Sequence, residues 1–169
     1  MYFWYCILAL YIIGPIYSAD KCIGLMYRLS GLTLTSLGEF MHLQWTTWLT
    51  LAVLCMSIWN VMTVGRLRNV HQVKAPAMDG PPEFLRAVRV QTNTVEQMII
   101  FLPALWLCAV WTSDMVAALL GTVWLIGRIM YALAYLKDAS KRSMGFLISS
   151  LAVVALMLGV VAGLSGVLK

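Results

Sequence analysis

The chain has 169 residues, of which 62% are apolar and 11% charged; its formal net charge is +5 and its mean hydropathy +0.85. A soluble domain carries roughly 25% charged residues, so the deficit excludes a surface that faces only water, and lipid must solvate much of the chain. The basic residues sit between apolar segments, which points to membrane topology and an anionic ligand rather than to nucleic acid.

Residues 1–40 open with an uncharged run to Ala19 that Gly14-Pro15 interrupts, followed by the mildly apolar 29–38. Without a basic start or a small-residue cleavage site, this stretch does not fit a signal peptide. Two readings stay open: a peripheral or fifth hydrophobic segment, or a translated upstream stretch foreign to the natural protein. The boundary therefore falls between a hydrophobic extension, 1–40, and a four-span unit, 41–169.

Within that unit, 43–65, 84–113, 115–136 and 143–168 carry few charges or none in most of their length, and each can cross a bilayer as a helix. A span needs ~20 apolar residues, and helices are required because lipid offers backbone amides no partner. The fold class is all-α: an integral membrane four-helix bundle. Residues 66–82 form a polar, basic loop whose end reads as a helix start, with Asp79 as cap, prolines at the first helical positions and then Glu83. The link at 112–114 is so short that the second and third helices form an antiparallel hairpin. Pro103 lies inside the second span, which membrane helices tolerate. The link at 137–143 is short and basic. Because the first and third loops hold the basic residues and the middle one only Asp114, loops 66–82 and 137–143 are expected in the cytoplasm.

Cys6, Cys22, Cys55 and Cys108 show no redox or metal-ligand spacing, and His42 and His71 are isolated. No metal site is expected.

The charges inside the spans carry the functional signal. Arg86, Arg89, Asn93 and Glu96 occupy one stripe about 80° wide on a helix. Arg128, Tyr131, Tyr135 and Arg142 fall within about 60° if the third helix runs on to residue 142. An ionised side chain in a membrane is costly unless paired or hydrated, and Glu96 neutralises one arginine at most. The alternatives are headgroup snorkelling for Arg86 and Arg89, a structural ion pair for Glu96, and an interfacial belt for Tyr131 and Tyr135. Gln91 lies nearly opposite Arg86, so a functional Gln91 serves a different site from the Arg89 stripe, as it would between subunits.

The segment GPPEF-x-R-x-x-R-x-Q-x-N-x-x-E, followed by G-R-x-x-Y-x-x-x-Y and an arginine seven residues on, resembles the membrane-associated proteins in eicosanoid and glutathione metabolism. The resemblance covers about residues 65–143. It implies a homotrimer with glutathione as co-substrate, bound between adjacent subunits near the cytosolic surface. It implies that Arg89, Asn93, Glu96, Arg128, Tyr131 and Tyr135 hold glutathione on one subunit, that Arg68 and Gln91 reach it from the neighbour, and that Arg142 activates the thiol. The second substrate would be a hydrophobic molecule or lipid arriving from the bilayer, either an electrophile or a hydroperoxide. The chain departs from the members that make leukotriene C at Gln97, where they have tyrosine, and at Asn69 and Gln72, where they often have Arg or Lys. Acceptor specificity therefore does not carry over. A non-catalytic lipid-binding or adaptor protein on the same fold is the alternative, which loss of Arg142 would have favoured; a small channel or transporter subunit rests only on the generic cost of intramembrane charge.

Overall fold

A computed structural model of the protein describes residues 43–166; the extension at 1–40 lies outside them. Four helices fill the described residues: α1 (Gln44–Val70), α2 (Pro82–Trp111), α3 (Asp114–Lys137) and α4 (Ser143–Leu164), with a 3-10 turn, Ala139–Arg142, between the last two. All four are long and apolar enough to cross a membrane. The chain is an all-α, multi-pass membrane protein.

α1 outruns its apolar stretch and carries Arg66 and Arg68 on its last turns, where long basic side chains reach beyond the lipid. It stops in a Schellman motif: Val73 N–H donates to Arg68 O at 3.0 Å and Gln72 N–H to Asn69 O at 3.3 Å. Gln72 takes the left-handed position at φ 55°, one that usually falls to glycine. The polar loop is thus shorter than the sequence pattern suggests, because its first five residues are helical.

α2 begins on Pro82, with Pro81 as its cap residue and no side-chain cap. Asp79 is not the cap. The proline ring at the first helical position removes one of the amides a cap would serve. At the hairpin, Ser113 accepts from Val116 N at 3.2 Å and caps α3. Its neighbour Asp114 caps a different helix: its carboxylate accepts Trp45 N and Thr46 N, both at 2.8 Å, at the start of α1.

α3 ends at Lys137 and does not continue to residue 142. Asp138 turns extended, at φ −152° and ψ 116°, and its carboxylate accepts the Ser140 N–H at 2.9 Å and the Ser140 hydroxyl at 2.8 Å. A local side-chain acceptor competes here with the helix ladder. The chain reverses through the 3-10 turn into α4.

The helices pack through small residues, as lipid-solvated helices do. A Cβ on Gly127 would sit 2.8 Å from the Ser149 amide nitrogen, and one on Gly145 would sit 2.7 Å from Gly127 O, so α3 and α4 touch backbone to backbone. Deeper in the bundle, the rings of Phe101 and Trp124 stack with centroids 3.8 Å apart and an interplanar angle of 4°. The core around them includes Val53, Leu105 and Leu156. Large apolar side chains such as Trp48, Ile99 and Leu158 face outward, the arrangement lipid rewards.

Candidate functional site

The end of the bundle that holds the α1–α2 loop and the α3–α4 turn contains a cleft of about 610 Å³, within the range of small-molecule sites. One wall comes from α2 (Arg89, Asn93) and α3 (Tyr131, Tyr135). The other comes from Arg142 and the first turns of α4: Ser143, Phe146 and Leu147. Five residues that sequence pattern singled out therefore meet in one cavity. Its lining combines two guanidinium groups, Arg89 and Arg142, with the apolar side chains of Phe146 and Leu147, and no carboxylate lines it.

Arg142 reaches the cleft by a different route from the expected one. On a continuous helix it would extend the Arg128–Tyr131–Tyr135 stripe; instead the Asp138 turn folds it back. Its guanidinium carbon lies 5.5 Å from the centroid of Tyr135, and Nη1 is 3.5 Å from the Tyr135 hydroxyl. The side chain is exposed to the cleft, so its charge is available there.

Arg128 stands behind the α2–α3 wall and is fully buried. Nη1 donates to Asn93 Oδ1 at 3.1 Å and Nη2 to Thr94 Oγ1 at 2.7 Å. The guanidinium carbon lies 4.3 Å from the centroid of Tyr131. Tyr131 is itself buried, so it does not belong to an interfacial belt. Glu96 is exposed and forms no ion pair with the described residues; its Oε2 accepts from Asn93 Nδ2 at 3.4 Å. Among the described residues the one approach of a basic side chain to a carboxylate within 4 Å is His71 Nε2 to Glu83, at 3.4 Å.

Arg68 and Gln91 do not line this cleft. Arg68 donates to Ala77 O at 2.8 Å and lies over the Phe84 ring at 5.1 Å, so it braces the α1–α2 loop against the base of α2. Gln91 is half-buried elsewhere on α2. Arg86 shares a sequence stripe with Arg89 but not a destination. Its Nε donates to Leu136 O at 3.0 Å, supplying one of the last carbonyls of α3 with the donor that a helix end lacks. Sequence reasoning missed Thr94, Ser143, Phe146 and Leu147. The spacing 143, 146, 147 is one helical face adjoining Arg142, a signal that was available; for Thr94 there was none, since a hydroxyl in a membrane helix ordinarily bonds its own backbone.

Residues 43–162 match the model of the MAPEG family. The chain belongs to the MAPEG family. Among MAPEG relatives, an uncharacterized protein of Synechocystis is 42% identical over 118 residues, 70% of this chain and 86% of that protein. Human microsomal glutathione S-transferase 2 is 37% identical over 103 residues, 61% of this chain and 69% of that protein. Guinea-pig (Cavia porcellus) leukotriene C4 synthase is 37% identical over 92 residues, 54% of this chain and 61% of that protein. The matched MAPEG region contains every cleft residue named above. Among the described residues no group of His, Cys, Asp or Glu is placed to hold a metal ion.

Proposed function

We propose that this MAPEG protein is a membrane-bound glutathione transferase that activates glutathione as its thiolate and presents it to hydrophobic electrophiles or lipid hydroperoxides. The observation that carries this reading is the position of Arg142. It stands over Tyr135 in a cleft that Arg89 also lines and to which Phe146 and Leu147 contribute apolar surface.

Glutathione has two carboxylates, one ammonium and one thiol. Arginine is suited to hold carboxylates in a fork of two hydrogen bonds, and Arg89 lines the cleft where it would do so. Asn93 offers its amide, Tyr131 and Tyr135 flank the peptide, and Glu96, the acceptor of the Asn93 amide, takes the ammonium. Arg128 contributes its charge from behind the wall. The cleft of a single chain is open on one side, and Arg68 and Gln91 serve it from the neighbouring subunit of a homotrimer. The basic loop and turn face the cytoplasm, so glutathione enters from water while its partner enters from lipid past Phe146 and Leu147.

A free cysteine thiol has a pKa of about 8.5. A permanent cation beside the sulfur favours the thiolate, and each unit of lowering takes about 1.4 kcal/mol of preferential stabilisation. Arginine holds its proton too tightly to act as a base, so Arg142 works by charge and the thiol proton leaves to water. With an electrophile, the sulfur lone pair forms the new S–C bond as the leaving group departs with its electron pair. With a hydroperoxide, sulfur takes the terminal oxygen, the O–O bond breaks and the alcohol leaves; a second glutathione then yields the disulfide and water.

The test is thiolate absorbance on adding glutathione to the detergent-purified protein at neutral pH. Wild type should show it and Arg142→Ala should not. No signal in wild type, together with tight lipid binding, would establish the non-catalytic lipid-binding reading instead.

A further inference from the structure

The buried Arg128 poses a problem that the proposed chemistry does not answer. A guanidinium has five N–H donors, and this one has no exposed surface. Among the described residues it has no carboxylate partner, and its Nε is buried without a hydrogen-bond partner. What holds it is neutral: Asn93 on one nitrogen, the Tyr131 ring below, and Thr94 on the other nitrogen.

Thr94 makes the shorter of the two hydrogen bonds. It is buried, and its hydroxyl also donates to Val90 O, one turn back on α2, at 2.7 Å. That donation uses the single hydroxyl proton, so the remaining lone pairs of Oγ1 can only accept. A guanidinium can only donate; the Val90 carbonyl, by taking the hydroxyl proton, holds Oγ1 with a lone pair turned to Arg128. Consequences follow at Asn93. Because Arg128 donates to it, Asn93 must turn its carbonyl oxygen inward. Its Nδ2 then points out toward Glu96 and the cleft, where it is a donor for an acceptor on a ligand. The opposite amide orientation would set N–H groups against a cation.

We propose that Thr94 is a positioning residue of the cleft: its hydroxyl locks Arg128, and Arg128 in turn fixes the amide orientation of Asn93 and the ring of Tyr131. The functional readout rests on the glutathione reading of the site. Thr94 is not among the residues that line the cleft, so its loss should change how tightly glutathione is held and leave the thiol's acidity alone.

The experiment compares wild type with Thr94→Val, which keeps shape and removes the hydroxyl, and Thr94→Ser, which keeps the hydroxyl and removes the methyl. Glutathione binding and the pH midpoint of the bound thiolate are measured on the detergent-purified protein. The expected result is about tenfold weaker glutathione binding in Thr94→Val, equivalent to about 1.4 kcal/mol, with an unchanged thiolate midpoint and wild-type binding in Thr94→Ser. Wild-type binding in Thr94→Val overturns the proposal. So does equally weak binding in Thr94→Ser, because packing of the methyl would then be the cause. Should Thr94→Val fail to fold, Thr94→Ala against Thr94→Ser makes the same comparison. The Nε–H resonance of Arg128 without ligand separates the two proposals. It should move in Thr94→Val and stay in Thr94→Ser even where wild type binds no glutathione, an outcome that would remove the glutathione reading alone. An unmoved resonance in Thr94→Val overturns the positioning role.

Discussion

Arg142 lies over the ring of Tyr135, its guanidinium carbon 5.5 Å from the ring centroid, although a helix end and a 3-10 turn separate them. Its contact with the Tyr135 hydroxyl is long, at 3.5 Å, and weak by hydrogen-bond standards. The ring face should therefore matter more than the phenol. Tyr135→Phe is expected to keep kcat/KM for glutathione within about threefold of wild type, whereas Tyr135→Ala should lose about tenfold or more, about 1.4 kcal/mol in the barrier. Equal losses in the two variants would assign the hydroxyl the larger role.

The turn that returns Arg142 depends on Asp138. The Ser140 backbone N–H, then its hydroxyl, hold the Asp138 carboxyl below its ordinary pKa of 3.8. A folded-state pKa below the unfolded one means that the stabilisation is present above 3.8 and is lost as pH falls through the folded value. Wild type should melt above Asp138→Ala at neutral pH, and the gap should narrow as pH falls below 3.8. A gap independent of pH would mean that Asp138 acts through packing.

Asp114 is the corresponding device at the opposite end of α3. It caps α1 by accepting the amides of Trp45 and Thr46, both at 2.8 Å, and so ties α1 to the α2–α3 hairpin. Loss of an N-cap costs about 0.5–2 kcal/mol. Asp114→Ala should lower thermal stability by that order and leave glutathione affinity at the far end of the bundle unchanged. An affinity loss with no change in melting would contradict a purely structural role.

Gly145 lets α4 lie against α3 next to Tyr131. An added Cβ would meet the backbone of Tyr131 and Gly127, and backbone cannot swing aside as a side chain can. Gly145→Ala should destabilise by about 1–3 kcal/mol and weaken glutathione binding, since both cleft walls shift. At Gly121 the nearest atoms belong to the side chains of Leu49 and Leu105, which are able to move, so Gly121→Ala should cost less. Denaturation of both variants in detergent checks the order.

The sequence by itself determined the membrane class, the four spans and most of the polar residues at the cleft, because each is written in local terms. Charge depletion over ~20 residues marks a span, and a 100° step per residue places Arg89 with Asn93, and Tyr131 with Tyr135, on common helical faces. Only the tertiary structure decided which arginines share a destination. Arg86 and Arg89 lie on one stripe, yet Arg86 reaches a carbonyl of α3 while Arg89 lines the cleft. Arg128 and Arg142 both belong to the motif, yet one is sealed behind the wall and the other is carried to the cleft by a turn. Helical phase gives a direction from one axis. The partner waiting in that direction depends on how neighbouring helices cross and end, and here that was settled by Gly127 and Gly145 in contact and by the carboxylate of Asp138.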